Sequence, residues 1–103
     1  MTGTPNQIEF AEQIRPRVDA EFARVASAFH VVANRQVEQD RRDTLAVIEI
    51  LNEKRSEVMA KDDAGYFISD WQELNGKVRR LIGLDPRYRV LKARREQRLG
   101  RPA

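Results

Sequence analysis

Residues 45–51 read LAVIEIL, and the conformation of that heptapeptide decides the architecture of the chain. Val47, Ile48 and Ile50 are β-branched and would suit a strand. The apolar phase continues, however, through NEKRSEVMAK (52–61) to Val58 and Met59 at helical spacing, further than a short strand would carry it. Wound as a helix at ~100° per residue, the heptapeptide spreads its apolar side chains over more than half the circumference. Such a helix is buried on two sides and belongs at the centre of a bundle.

On its N-terminal side, Thr4-Pro5-Asn6-Gln7 reads as a helix start. Thr4 caps, Pro5 takes the first helical position, and Gln7 completes a capping box. Ile8, Ala11, Ile14, Val18, Phe22, Val25, Phe29 and Val32 then follow at three-four spacing. Pro16 removes the bond to the Glu12 carbonyl, so the segment reads as one long helix kinked near Arg15, or as two short-linked helices sharing a buried face. RQVEQDRRD (35–43) breaks the stripe and predicts a turn or an exposed stretch of helix, with Asp40 or Asp43 as the next cap.

On the C-terminal side, Lys61-Asp62-Asp63-Ala64-Gly65 is a turn. Phe67, Trp71, Leu74, Val78 and Leu81 repeat at four-three spacing, the seam of a packed helix. Asn75-Gly76 lies inside that run. It is a hairpin signal, but the flanks WQEL and KVRR do not alternate, so Gly76 is read as allowing close approach of a neighbouring helix. Gly83 ends this helix, Asp85-Pro86 starts a last one, and Gly100 stops it after Leu99. The expected fold is all-α: a small helical bundle of four or five helical segments with a long, kinked first helix. One domain spans 1–103, with residues 1–4 flexible and 86–103 a basic helix and tail.

Composition excludes several functions. With no cysteine and a single histidine, His30, thiolate chemistry and most metal constellations are ruled out, and neither cofactor nor metal is expected. No secretory leader or membrane-length apolar run is present, so no membrane partner is expected and a reducing cytoplasm is the default location. The helical chorismate mutases are metal-free, all-α and of this size, and hold an anionic substrate with arginines inside the bundle. Here Arg55 and Lys61 follow an apolar run at a different spacing, so the chain is not assigned to them. No enzyme activity and no small-molecule substrate are expected.

The net charge of +3 hides an asymmetry: residues 1–76 carry 9 Lys/Arg and 14 Asp/Glu, for −5, and residues 77–103 carry 10 and 2, for +8. An acidic body with a basic end points to two function classes. The first is protein–protein contact, as an adaptor, regulator or assembly component, with the ridge Val18, Phe22, Val25 and Phe29 and the aromatic Tyr66 as the interaction surface. A first helix of ~30 residues would be ~45 Å long, more than a globule of this size spans, so a second copy is expected alongside an unidentified protein partner. The second class is nucleic-acid binding through Arg79, Arg80, Arg87, Arg89, Lys92, Arg94, Arg95 and Arg98. The segments 66–82 and 86–99, joined by Gly-Leu-Asp, are compatible with a helix-turn-helix. Against that, the cations also suit a solvated face, or one answering the chain's own acidic body.

Overall fold

LAVIEIL is helical. In the computed structural model, which describes residues 1–100, the chain forms α1 (Pro5–Asn34), α2 (Glu38–Met59), α3 (Ala64–Asp70), α4 (Lys77–Gly83) and α5 (Pro86–Arg98), with no named strand among the described residues. The end of the basic tail, with Arg101, lies outside the described residues. No helix is long and apolar enough to cross a membrane.

The start of α1 is built as its sequence requires. Thr4 Oγ1 accepts from the Gln7 N–H at 3.2 Å while Gln7 Oε1 accepts from the Thr4 N–H at 2.9 Å. The helix runs unbroken through Pro16. Beside that proline, the Arg15 guanidinium donates to the carbonyl of Met59, the last residue of α2. A cation there also suits the negative end of that helix.

A short turn at 35–37 brings α2 back antiparallel to α1. The expectation that Asp40 or Asp43 caps α2 is corrected: the cap position is Val37, which offers no side-chain acceptor, and both aspartates lie inside the helix. Asp43, Thr44, Val47, Ile48, Ile50, Leu51 and Val58 of α2 are buried, as a central helix requires, and α1, α4 and α5 all pack on it.

The core takes in three of the four residues of the expected interaction ridge. Val18, Phe22 and Val25 are 0–1% exposed, enclosed by Val47, Ile50, Leu51, Phe67, Trp71, Val78 and Ile82 of the same chain. Phe22 meets Trp71 with ring centroids 5.8 Å apart. Burying each such side chain contributes about 1.5–3 kcal/mol, and this chain supplies its own cover. At the end of α1 the buried phase moves to Ala33, leaving Val31 and Val32 outward. Helix length does not demand a second copy either. The molecule measures 55 × 26 × 19 Å, so α1 forms the long axis, with α2 against its C-terminal part and α3 packed beside it.

The single helix expected over 66–82 is two short ones. Gly76 takes φ +79 ahead of α4, and nothing lies within 4 Å of where its Cβ would be. Its purpose is therefore a left-handed turn and not close helix approach. The buried positions Phe67, Trp71 and Val78 keep the expected spacing across the break, joined by Ile82 in place of Leu81. The segments read as a helix-turn-helix are thus three helices, α3, α4 and α5, with Leu84 and Asp85 between the last two. Residues 1–4, expected to be flexible, are pinned: the Thr2 N–H donates to the Asp62 carbonyl at 2.7 Å, and the Ala64 N–H donates to the Thr2 carbonyl at 2.9 Å.

Candidate interaction surface

Helix α5 begins where Asp85-Pro86 dictates. Asp85 accepts from the Arg87 N–H at 2.8 Å and is only 7% exposed. Its carboxylate also takes Arg87 Nη2 and Lys54 Nζ, each at 3.0 Å. The Arg87 side chain, with Lys54 beside it, outweighs burial and holds the Asp85 carboxyl far below the usual carboxylate range. Arg87 reaches on to Glu53 of α2 at 2.8 Å.

The far end of α5 is held in the same way. Arg98 meets Asp40 at 2.8 Å and Asp43 at 2.6 Å, and Asp43 accepts from Gln39 at 2.8 Å. Burial pushes the Asp43 carboxyl up, but Gln39 and Arg98 together leave it below its ordinary value. No residue of α5 is buried; Tyr88 and Leu91 pack half-buried on the body. The helix is thus fixed antiparallel to α2 by ion pairs at both ends, with a thin apolar contact between them.

This arrangement distributes the cations in several directions. With Tyr88 and Leu91 turned inward, a 100° projection places Arg89, Val90, Ala93, Glu96 and Gln97 on the outward face. Only one of those is a cation, and Arg89 donates to the Gly83 carbonyl at 3.2 Å. Arg87, Arg94 and Arg98 lie on the flank beside α2, while Lys92 and Arg95 edge a recess on the other flank with Phe29 and Tyr88. Arg79 and Arg80 are exposed on α4, with the Arg79 guanidinium 5.7 Å from the half-buried Phe29 ring. Tyr66 is half-buried, its oxygen accepting from Trp71 Nε1 at 3.2 Å.

Between α2 and α5 runs a groove of about 420 Å³. Ala46, Ile50 and Leu91 give it an apolar floor, with Val90 at its rim. Glu49 and Glu53 stand on the α2 wall, Arg87 and Arg94 on the α5 wall. Glu53 and Arg87 are paired to each other, whereas among the described residues neither Glu49 nor Arg94 makes an ion pair. Val90 is 49% exposed.

The chain matches no known family model, no curated protein and no solved structure. Among the described residues no group of three or more metal-capable side chains gathers. Arg55, the one arginine placed after the apolar run, pairs with Asp19 across the α1–α2 seam with both side chains over a third exposed. Sequence reasoning missed Ala46, Glu49 and Val90 as surface residues. The signal that could have found them is the i, i+4 pair Glu49 and Glu53, which interrupts the apolar run on the helix face shared with Ala46.

Proposed function

We propose that this chain is a non-enzymatic helical-bundle protein that works by protein–protein contact, as an adaptor, regulator or assembly component, through the α2–α5 face. The observation that carries the reading is the groove, an apolar floor walled by carboxylates on one side and guanidinium groups on the other. A polyanion such as DNA or RNA is recognised by a surface of one sign. Here the cations point in several directions, and Arg87 and Arg98 already answer acidic groups of the same chain. A protein surface with its own apolar stripe and both charges complements such a groove better.

The test is a titration with duplex DNA, single-stranded DNA and RNA across a salt series. Protein contact through this face predicts no specific binding and a shallow salt dependence. A log–log slope of about −4 to −6, as five or six phosphate contacts require, would overturn it in favour of a nucleic-acid regulator.

A further inference from the structure

We infer that the α2–α5 groove is closed by the same groove of a second copy, related by a two-fold axis that runs along it. This pairing rests on the protein-contact reading and adds the partner.

A two-fold interface must be complementary to itself, since one patch supplies both sides. A groove with one acidic and one basic wall meets that condition in a single orientation. With the axis lying along the groove, α2 of each copy stands over α5 of the other, and acid meets base twice. With the axis across the groove, α2 would face α2 and α5 would face α5, acid on acid and base on base.

The register agrees. Glu53–Arg87 at one end and Asp40/Asp43–Arg98 at the other fix α5 antiparallel to α2. Interpolating between these pairs sets Glu49 level with Val90 and Leu91, and Ala46 level with Arg94. Glu49 is then within about one helical turn of Arg94 of the second copy, inside the reach of an arginine. These are the two wall charges that make no ion pair among the described residues of the chain. The half-exposed Val90, at the rim of the groove, lies on the face covered in the same step.

The experiment uses two charge-swapped chains, Glu49→Arg and Arg94→Glu, with mass measured by light scattering. Wild type is expected at twice 12.0 kDa. Each variant alone places like charges opposite each other twice, and its self-association should weaken at least about 100-fold, giving a monomer. Mixed in equal amounts, the two should pair with each other. The introduced arginine of one chain then faces the introduced glutamate of the other, and the retained Arg94 faces the retained Glu49. Circular dichroism of each variant shows whether it is folded, and the mixing experiment works from folded monomers. Wild type at 12.0 kDa at its highest soluble concentration overturns the inference. So does a wild-type dimer indifferent to both swaps, or a mixture that stays monomeric. The protein-contact reading is judged separately, by the nucleic-acid titration: a monomer without steep salt-dependent binding defeats only the two-fold pairing.

Discussion

Truncating Phe22 to alanine separates a core residue from an interface residue. Phe22 is 1% exposed and is surrounded by apolar side chains of α1, α2 and α3 and by Trp71. Removing a buried phenyl ring costs about 3–5 kcal/mol, transfer and cavity together. The lost ring contact with Trp71, at 5.8 Å, favours the middle of that range, about 4 kcal/mol. Domains of this size have about 5–15 kcal/mol in total, so the variant should still fold while lying close to the edge. Trp71, the single tryptophan and 2% exposed, reports unfolding directly by its fluorescence in urea. The measurement is made at two protein concentrations tenfold apart, comparing the loss relative to wild type rather than the midpoints. A ridge buried within one chain predicts the same loss at both. A loss under about 1 kcal/mol, or one that grows with concentration, would refute the intrachain core.

Asp85→Ala removes the cap of α5 and one end of its attachment, and should destabilise by about 2 kcal/mol in urea, with Asp85→Asn recovering roughly half through the retained cap. Gly76→Ala forces a Cβ onto a residue at φ +79 and should lose about 1–2 kcal/mol despite the open space around it. The carboxyls of Asp85 and Asp43 titrate lower in the fold than in the unfolded chain, where aspartate sits near about 3.9. Their stabilisation is therefore fully present above that pH and is lost as pH falls through the folded values. Thermal melts should accordingly show these two groups contributing constantly from neutrality down to about pH 5, then decline below about pH 4. The Asp43→Asn, Asp85→Asn double variant should lose much of that acid-limb slope, and an unchanged slope would contradict the assignment.

Much of the fold is legible in the sequence because single residues enforce it. Thr4, Pro5 and Gln7 start α1, Asp85 and Pro86 start α5, and the four-three spacing of Phe67, Trp71 and Val78 names part of the core. What the periodicity does not reveal is which molecule covers a stripe. Spacing alone presents the ridge as an interface, yet Trp71 and Phe67 from beyond the 61–65 turn enclose it, a long-range packing that spacing does not encode. The break at 71–76 escapes the pattern because Phe67, Trp71 and Val78 keep helical spacing across a turn that Gly76 creates by a left-handed backbone. The basic end is visible as composition. Its division into ion-paired, inward and outward arginines becomes visible only once Asp40, Asp43 and Glu53 of α2 stand beside α5.

The most direct test of pairing through the α2–α5 groove is an isotope-filtered NOE experiment on an equal mixture of labelled and unlabelled chains. Pairing through the groove predicts intermolecular signals between the Ala46 methyl of one copy and the Val90 and Leu91 methyls of the other. Intermolecular signals confined to Val31 and Val32 on α1, or none at all, would contradict it.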